Sequence, residues 1–364
     1  MGVALTSGDS LFFMKLKDFS NKLHEFLKTQ DKVYPNLSDF LSEAKEHYFA
    51  LFEMIDDDEF THLKGLGLYD GATRKKRMKD NLSKIINEAN EIIPRVVPNE
   101  FDQVEKFYEL FFKKDGTPKP SANIKDLKRD SLFRIAKADK YQIWDRARLF
   151  ALTNNTLNYS CKYRFNQDGY PCIYMASTLY NAWEETRRPD FEMANFARYK
   201  PVRDLHVMSI YIEPQMQTYG DFVMAYFSLI CAVKTKDEDS YHIQYVVPNL
   251  FMSILARSIR LKSGIDGIRY LSSRGYDGEA YRFKSQDISE AFVFPPRMDD
   301  KGTIQWDHIK ALFRMTDPRN YFYYKIHRFD FGKGAAHVSD YQDSLFYAIE
   351  EQLRKEPPKP IDIS

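Results

Sequence analysis

Cysteine is scarce in this sequence, and the placement of its cysteines argues against a disulfide framework and against a cysteine-rich zinc site. The three cysteines among the 364 residues, Cys161, Cys172 and Cys231, form no CxxC pair. They cannot all pair with one another, so a disulfide framework and a cysteine-rich zinc site are both disfavoured. The eight histidines include no HExxH arrangement. We therefore predict no metal site and a reducing location, the cytoplasm.

A net charge of one sign is also missing. Lys and Arg number 53 and Asp and Glu number 52, so no overall field draws the molecule to nucleic acid or to an anionic membrane. One basic cluster, Arg74-Lys75-Lys76-Arg77, has no aromatic residue between its charges. Such a cluster is more typical of a solvated helix start than of a nucleic-acid patch. A nucleic-acid partner is therefore not expected.

Long hydrophobic runs are absent as well. The longest apolar stretch, residues 222–233, is too short to cross a bilayer and follows Gly220-Asp221 as a buried strand would. The first residues lack the basic region, the apolar run and the small-residue cleavage site of a secretory signal. We expect a soluble, cytoplasmic protein without a membrane partner.

Aromatic residues, by contrast, are plentiful. The 28 Phe and 24 Tyr, within a content of 43% apolar residues, are enough to build a packed interior. A chain of 364 residues also exceeds what one hydrophobic core usually organises. The sequence thus predicts a globular protein with two domains, or with one domain and a large extension.

The first third of the chain is patterned for helices. Apolar residues return at helical spacing between residues 11 and 93, and another helix restarts after the break at residues 94–98. Residues 113–120, KKDGTPKP, combine a glycine, two prolines and three lysines, which predicts a linker. We therefore expect an all-helical N-terminal domain, residues 1–120, with a partner-binding or regulatory role, followed by a second domain, residues 121–364.

The second part mixes strands and helices. The patterns predict strands at residues 171–175, 204–212 and 222–233, and helices at residues 179–186 and 248–260. Because strand and helix do not alternate regularly, we predict an α+β fold. An aromatic run at residues 320–328 predicts a last strand, and residues 339–353 predict a closing amphipathic helix.

Three segments pair a tight turn with polar side chains that a plain core does not require. The first contains Arg164-Phe165-Asn166, Gly169, Pro171, Ile173-Tyr174-Met175, Glu184-Glu185 and Arg188-Pro189. The second is Asp266-Gly267-Ile268-Arg269-Tyr270-Leu271-Ser272-Ser273-Arg274. The third is the strand end Phe294-Pro295.

In their order and spacing, these segments resemble the RES family, named for its arginine, glutamate and serine and known from NAD-degrading toxins of toxin–antitoxin pairs. The family shows an arginine followed by an aromatic residue, then a Gly and a Pro before a strand, and an acidic residue close to Arg-Pro. It continues with a pattern close to Asp-Gly-Ile-x-Tyr-Pro-Ser and a strand that ends in Phe-Pro. The resemblance covers residues 141–297, and Leu271 stands where the family frequently has proline.

The resemblance implies a mixed-sheet fold related to ADP-ribosyltransferases and an NAD phosphorylase or NAD glycohydrolase activity. Such an enzyme breaks the bond between nicotinamide and ribose in NAD, with phosphate or water as acceptor. NAD is then a substrate, inorganic phosphate is a candidate co-substrate, no cofactor is bound permanently, and an antitoxin or other regulatory protein is the expected partner. Two other functions stay open: transfer of ADP-ribose to a macromolecule, and a non-catalytic interaction role.

The resemblance also implies a reactive constellation of Arg164, Glu185 and Ser272. Glu185 would stabilise the positive charge on ribose as nicotinamide leaves, since a carboxylate acts strongly on developing charge where water is scarce. Arg164 would hold a pyrophosphate or a phosphate acceptor through its planar fork of donors. Ser272 would orient the ribose or the amide of nicotinamide by a hydrogen bond.

Three further residues are candidates for binding NAD. The ring of Tyr174 would stack on nicotinamide, and Asn166 and Arg274 would hold a phosphate or the turn itself. The acceptor, the antitoxin, the trigger and the oligomeric state are not predicted by the sequence.

Two assignments stay open on the sequence alone. The family serine is Ser272 or Ser273, and the acidic residue is Glu184 or Glu185. Adjacent residues of a helix point about 100° apart, so only one of the two glutamates can face a pocket easily. Position along the motif favours Ser272, and we choose Glu185.

Overall fold

The computed structural model of the chain describes residues 13–29, 36–64, 69–96, 101–138, 142–150, 164–166, 170–231, 245–261, 263–272, 290–298, 303–326 and 341–362. The described part begins with the helices α1 (Leu16–Thr29), α2 (Leu37–Glu53), α3 (Gly71–Ile92) and α4 (Phe101–Phe111). Side chains cap two of them: Asn36 accepts from the amide of Asp39 at 2.9 Å, and Asp70 accepts from the amide of Thr73 at 2.8 Å. The helices predicted between residues 11 and 93 are confirmed over the described residues.

Further helices are distributed through the rest of the described chain. They are α5 (Arg146–Phe150), α6 (Leu179–Glu185), α7 (Tyr219–Cys231), α8 (Val246–Arg260), α9 (Asp307–Leu312), α10 (Tyr321–Ile326) and α11 (Leu345–Lys355). The predicted helices at residues 179–186 and 248–260 correspond to α6 and α8, and the predicted closing helix corresponds to α11.

The strands are β1 (Ile124–Leu127), β2 (Leu132–Lys137), β3 (Ile173–Ala176), β4 (Ala194–Pro201), β5 (Leu205–Ile210), β6 (Gly267–Leu271), β7 (Glu290–Phe294), β8 (Arg297–Met298), β9 (Ile304–Gln305), β10 (Phe313–Met315) and β11 (Lys359–Pro360). Within the described residues, nine of them form one sheet in the order β1-β5-β6-β7-β3-β2-β4-β10-β11. The pair β5 and β6 is parallel and the other pairs of this sheet are antiparallel. The predicted α+β fold, a helical region followed by a mixed sheet, is confirmed.

The two faces of the sheet bury different sets of side chains, since alternate residues of a strand point to opposite faces. On one face, Met208, Ile268 and Tyr270 join a hydrophobic cluster with α7 and α8. On the other face, Val207 and Phe292 join a cluster that includes apolar residues of α9. The face under α7 and α8 is the one that carries the candidate site.

Residues 219–231 form the helix α7, so the strand predicted at residues 222–233 is wrong. Twelve of the thirteen residues of α7 are buried. A continuous apolar run fits a fully buried strand and also a helix buried on every side, and periodicity cannot separate the two. The helix is favoured here because the N-terminal helices supply apolar surface on the sides that the sheet does not cover.

The strand predicted at residues 320–328 is also wrong over its described part, where α10 is found. Asn320 precedes the helix, and its Oδ1 accepts from the amide of Tyr323 at 2.8 Å. An asparagine that caps a first turn in this way favours a helix start despite the β-type aromatic sequence that follows. Tyr324 then stacks on Phe196 of β4, with ring centroids 6.1 Å apart.

Residues 113–120, predicted as a linker, form a hydrogen-bonded turn instead. The amide of Lys113 donates to the carbonyl of Thr117 at 2.8 Å, and the amide of Lys119 donates to that of Phe111 at 2.7 Å. Gly116 has a φ of 86°, and a Cβ at this position would lie 2.8 Å from Cβ of Leu261. The glycine and prolines thus serve a tight turn packed against the end of α8.

The N-terminal helices share one hydrophobic cluster with α7 and α8. The hydroxyl of Tyr48 in α2 donates to the carbonyl of Phe222 at 2.8 Å. The hydroxyl of Tyr226 donates to Oδ1 of Asn90 in α3 at 2.8 Å. Because α7 is buried between the helical region and the sheet, both parts contribute to the same core. The domain boundary at residue 120 and a partner-binding or regulatory role for the helices stay predictions.

The basic cluster at the start of α3 is only partly solvated, contrary to the prediction. Arg74 and Lys75 are each 9% exposed. Arg74 Nη1 donates to the carbonyl of Phe60 at 3.1 Å, and Lys75 Nζ donates to that of Ile55 at 2.5 Å. These carbonyls lie at or near the ends of preceding helical segments, where backbone acceptors lack intrahelical partners. Two of the four residues of the cluster therefore join the start of α3 to the segments that precede it.

Candidate active site

The helix α6 carries Glu185 as its last residue and presents it to the sheet. The helix begins after Thr178, whose side chain accepts from the amide of Asn181 at 3.1 Å, a normal helix cap. Asn181 Nδ2 in turn donates to the carbonyl of Glu290 in β7 at 2.9 Å. The first turn of the helix is thus tied to β7.

The far end of α6 is closed by two residues in the left-handed region. Arg187 has a φ of 66° and Arg188 a φ of 51°. The amide of Arg187 donates to the carbonyl of Glu184 at 3.0 Å, and that of Arg188 donates to the carbonyl of Trp183 at 2.9 Å. Left-handed backbone costs roughly 1–2 kcal/mol for each residue that is not glycine. The Arg188-Pro189 motif therefore marks a strained helix end directly after Glu185.

The carboxylate of Glu185 accepts hydrogen bonds from two hydroxyl groups of β6 and its end. Tyr270 Oη donates to Oε2 at 3.0 Å, and Ser272 Oγ donates to Oε1. Tyr270 is 3% exposed and Ser272 is fully buried, whereas Glu185 is half-buried. The two predicted residues Glu185 and Ser272 are therefore in direct contact.

Tyr270 is a site residue that the sequence reasoning did not select. Residues two apart in a strand share a face, so Tyr270 had to point to the same side as Ser272 once β6 was recognised. That spacing was the available signal. A tyrosine among Gly267, Ile268 and Leu271 is also typical of a core strand, so the local sequence does not distinguish a site residue from a core residue here.

Tyr174 and Asn166 form a second pair of polar groups beside this carboxylate. The hydroxyl of Tyr174 donates to Oδ1 of Asn166 at 2.9 Å and accepts from the amide of Phe165 at 3.1 Å. Burial raises the pKa of Tyr174 well above its ordinary value, and the charge of Glu185 adds to the shift. The hydroxyl therefore keeps its proton and its donor role.

The amide nitrogen of Asn166 points to a binding function. Asn166 is 3% exposed, and among the residues that the structure describes no acceptor lies within hydrogen-bonding distance of its Nδ2. A buried donor without a partner costs roughly 1–3 kcal/mol. Because Tyr174 holds the oxygen of this amide, the nitrogen is directed away from that hydroxyl. A ligand with a carbonyl or hydroxyl oxygen would satisfy it.

Arg164 lies in the same neighbourhood. Its Nη1 donates to the carbonyl of Cys231 at 2.7 Å, at the C-terminal end of α7. The next residue, Phe165, packs its ring 4.8 Å from the ring of Tyr270, which itself contacts Glu185. The structure thus brings Arg164, Glu185 and Ser272, three residues far apart in the chain, to one side of the sheet.

The structure bears on one of the two assignments that the sequence left open, the choice between the glutamates. Glu184 is buried and its Oε2 accepts from Nε of Arg188 at 2.7 Å, whereas Glu185 faces Ser272. Of the two glutamates, Glu185 therefore occupies the candidate site. Ser273 and Arg274 lie outside the described residues, so the placement of Arg274 as a binding residue stays a prediction.

Two other residues of the second motif have structural tasks. Asp266 receives both Nη1 and Nη2 of Arg203, at 2.8 and 2.7 Å, and accepts from the amide of His206 at 2.9 Å. This carboxylate joins the starts of β5 and β6. Gly267 lies where a Cβ would come within 2.5 Å of the carbonyl oxygen of Val293. The motif therefore encodes the strand pairing as well as the site.

We expect Gly267→Ala to lower the free energy of unfolding by about 1–3 kcal/mol, the usual cost of forcing an extra carbon into a packed core. Urea denaturation followed by circular dichroism measures this. Gly264→Ala is the comparison, because Gly264 has a φ of 78° but no atom within 4 Å of the added Cβ. Its cost comes only from the left-handed backbone. Unchanged stability of Gly267→Ala would contradict the packing of β6 on β7.

On the opposite face of β6, Arg269 anchors the strand that carries Tyr270. Its Nε donates to Oε1 of Glu290 at 2.6 Å, and its Nη1 donates to Oγ of Ser209 at 3.1 Å. Arg269 and Glu290 are 7% and 5% exposed. A buried pair with this many hydrogen bonds holds neighbouring strands in a fixed arrangement. The hydroxyl of Tyr270 is therefore presented from a rigid strand.

Over the described residues the chain shows neither a metal-binding group of side chains nor a membrane-spanning helix. No group of three or more His, Cys, Asp or Glu side chains in the described ranges is arranged to hold a metal ion. Among the helices that the structure describes, none combines the length and the apolar composition that a bilayer crossing requires. Cys172 and Cys231 are buried thiols, and burial raises the pKa of each.

Comparison with known proteins identifies the part of the chain that contains this site. Residues 131–307 match the RES domain family. No curated protein and no solved structure matches the chain. The matched segment includes Arg164, Glu185 and Ser272, and it leaves the helices α1–α4 before it. The chain therefore carries a RES domain, a toxin-like and generally enzymatic family, preceded by a helical region.

Proposed function

We propose that this RES domain cleaves the bond between nicotinamide and ribose in NAD, with phosphate or water as the acceptor. The single observation that carries the proposal is the position of Glu185. Glu185 is half-buried, its carboxylate is held by Tyr270 and Ser272, and its charge acts on Tyr174, the tyrosine that bonds the side chain of Asn166. A sugar placed against this carboxylate would meet a fixed negative charge in a site partly shielded from water.

The reaction suits a carboxylate more than it suits a general acid. Nicotinamide leaves the positively charged pyridinium as a neutral base, so the leaving group needs no proton. The barrier lies in forming an oxocarbenium-like ribose, and a negative charge stabilises that transition state more than the ground state. The proposed role of Glu185 is this stabilisation. Water or phosphate then attacks the anomeric carbon, and a proton is released when water is the acceptor.

The two hydroxyl donors define the orientation of the carboxylate. One hydrogen bond to each oxygen restrains both the position and the plane of the Glu185 side chain. Orientation of a charged group before the substrate arrives avoids the cost of reorganising it during the reaction. Tyr270 and Ser272 are therefore proposed as positioning residues for Glu185.

The neighbouring groups suit the remainder of a dinucleotide. Nδ2 of Asn166 is a buried donor for an oxygen of the substrate, either the amide carbonyl of nicotinamide or a ribose hydroxyl. Arg164, whose planar fork can bind two phosphate oxygens at once, is proposed to hold the pyrophosphate or the phosphate acceptor. The ring of Tyr174 is proposed to lie against nicotinamide.

The test is direct. The purified protein is incubated with NAD, with and without inorganic phosphate, and nicotinamide and the sugar product are followed by chromatography. ADP-ribose 1″-phosphate would indicate phosphate as acceptor, and ADP-ribose would indicate water. Retention of label from NAD on protein or nucleic acid would instead show transfer to a macromolecule. No nicotinamide release under either condition, together with unchanged NAD in cells that express the chain, would refute the proposal.

A toxin-like domain also implies a neutralising partner. We propose that an antitoxin or other regulatory protein restrains the activity in the cell. If so, expression of the chain alone should deplete NAD and slow growth, and a Glu185→Gln form should be tolerated. Equal toxicity of the two forms would separate any growth effect from the proposed chemistry.

We expect Tyr270→Phe to reduce kcat by roughly 10-fold while the KM for NAD stays within about 2-fold, because one hydrogen bond to a charged group contributes about 1.5–3 kcal/mol. Initial rates of nicotinamide release measure both constants. Tyr199→Phe is the matched control, since Tyr199 is also a buried tyrosine, but its hydroxyl donates to the carbonyl of Leu149 at 3.4 Å. If both variants keep wild-type kcat, Tyr270 does not position the carboxylate.

A further inference from the structure

The helix α11 lies outside the matched RES segment, yet it packs directly on α6. Ile349 and Leu353 belong to the same buried cluster as Leu179 of α6. Phe346 places its ring 5.2 Å from Tyr180 and 5.3 Å from Trp183. The helix that ends in Glu185 is therefore covered by the C-terminal part of the chain.

The first amides of α6 show how specific this contact is. The first four N–H groups of a helix have no intrahelical acceptor and need partners elsewhere. The amide of Asn181 donates to Thr178, within the local chain. The amide of Leu179 donates to Oε1 of Glu350 in α11 at 2.6 Å, and the amide of Tyr180 donates to the hydroxyl oxygen of Tyr341. Two of these orphan donors are thus satisfied from the C-terminal segment.

Glu350 is a carboxylate that is almost completely removed from solvent. Its exposed fraction is 1%, and its carboxylate receives the hydroxyl of Tyr341 and, at 3.2 Å, Nη2 of Arg354. Burial raises the pKa of Glu350 to about 7, although Tyr341, the Leu179 amide and Arg354 all oppose the shift and Glu351 adds to it. Burying a carboxylate in its charged form is costly, and carboxylates with strongly shifted pKa values cluster at functional sites.

We propose that Glu350 is a positioning residue for the active site, which fixes the start of α6 through the Leu179 amide and thereby sets the position of the Glu185 carboxylate at the other end of the helix. The kinetic part of this inference rests on the proposed NAD cleavage. The structural part, that Glu350 holds the start of α6, stands independently of it.

The shortness of α6 makes the coupling physically direct. The helix has seven residues, which at a rise of about 1.5 Å per residue spans roughly 10 Å. Its far end is closed by the left-handed residues Arg187 and Arg188. A displacement at Leu179 therefore moves Glu185 relative to Tyr270 and Ser272, and misplacement of a reacting group by about 1 Å can cost 10²-fold in rate.

The experiment compares Glu350→Gln with Glu351→Gln. Glutamine keeps the shape and one acceptor but removes the charge that strengthens the bond to the Leu179 amide. Glu351 is the neighbouring carboxylate, more exposed, and it accepts from Nη1 of Arg354 at 2.8 Å. Amide hydrogen exchange of α6, followed by NMR or mass spectrometry at pH 8, reads the structural part directly in the full chain.

In Glu350→Gln we expect amides at the start of α6 to exchange about 5- to 30-fold faster, with Glu351→Gln at the wild-type rate. We also expect kcat for nicotinamide release to fall about 3- to 10-fold at pH 8 with KM unchanged. Near pH 5.5 this difference should shrink, because Glu350 of the wild type is then protonated and resembles glutamine. A role in stability alone would not give a kcat difference that depends on pH in this way.

Each result has a defined meaning. Unchanged exchange in Glu350→Gln at pH 8 overturns the inference, and so does faster exchange with an unchanged kcat. If the wild type releases no nicotinamide, the proposed function fails, while the exchange experiment still decides whether Glu350 holds α6. The failures of the two proposals are therefore distinguishable.

The pH dependence of stability gives a second measurement. The pKa of Glu350 is raised on folding, from 4.5 to about 7, so the native state binds its proton more tightly than the unfolded state does. The resulting stability is complete below pH 4.5 and is lost as the pH rises through about 7. Between pH 5 and 8 the wild-type Tm should therefore fall by roughly 3–6 °C relative to Glu350→Gln. If the Tm of the wild type and the Tm of Glu350→Gln change with pH in the same way, the Glu350 carboxylate is not buried as the structure shows it.

Discussion

Replacement of Glu185 by glutamine should reduce kcat for nicotinamide release by roughly 10²–10³-fold, the effect expected when one group aimed at developing charge is lost. Glutamine has nearly the same shape, so the contacts of α6 with β6 should persist. It has no net charge, however, and its amide nitrogen cannot accept the hydroxyl hydrogen that Glu185 receives from Tyr270 or Ser272. The loss should therefore appear in kcat, with little change in the affinity for NAD.

Steady-state rates of nicotinamide release, together with NAD binding by calorimetry, measure the two quantities separately. Glu184→Gln is the matched control, because Glu184 is adjacent in α6, is buried and pairs with Arg188 instead of facing Ser272. We expect its kcat to remain within a few-fold of the wild type once the folded fraction is taken into account. A Glu185→Gln enzyme with full activity, or a Glu184→Gln enzyme that is equally inactive, would remove the basis for assigning the chemistry to Glu185.

Replacement of Arg164 by alanine should weaken NAD or phosphate binding by roughly 10- to 100-fold, which is the range for losing hydrogen bonds between charged groups. In the structure Nη1 of this side chain donates to the carbonyl of Cys231 at the end of α7, so one end of the guanidinium is already fixed before a ligand arrives. The effect should appear chiefly in the KM for NAD, or in the KM for phosphate if phosphate is the acceptor. Measuring both constants therefore also indicates which phosphate group Arg164 binds.

Two comparisons sharpen this result. Arg164→Lys keeps the charge but loses the planar fork, so it should recover only part of the affinity. Arg260→Ala removes an exposed arginine from the last turn of α8 and should leave both KM values unchanged. If Arg164→Ala and Arg260→Ala behave alike, the contribution of Arg164 is only a general attraction for anions, and its proposed role is wrong.

The anchoring of Arg164 at α7 connects the site with the helical region. The end of α7 carries Cys231, and its interior is packed against α2 and α3 through contacts such as Tyr48 with Phe222 and Tyr226 with Asn90. The carbonyl that Arg164 uses therefore belongs to a helix that packs on the N-terminal helices. A regulatory role for these helices stays a prediction.

Several features were determined by the sequence alone. The amphipathic spacing in α1 to α3 fixes helices because their apolar stripes match the helical repeat. The order of the three motifs indicated the RES domain, and the glutamate and the serine selected from them are in contact, with the arginine on the same side of the sheet. Short motifs of this kind are readable in sequence because tight turns and strand pairing demand particular residues, as Gly267 illustrates.

Other features were decided only by tertiary structure. The apolar run of α7 became a helix because neighbouring helices and the sheet together cover it, and no periodicity within the run records its neighbours. Arg74 and Lys75 were drawn inward by backbone carbonyls of distant segments, although their sequence pattern is that of a solvated face. Glu350 reaches an amide 171 residues away. Such contacts depend on which surfaces meet in three dimensions, and local sequence carries no trace of that.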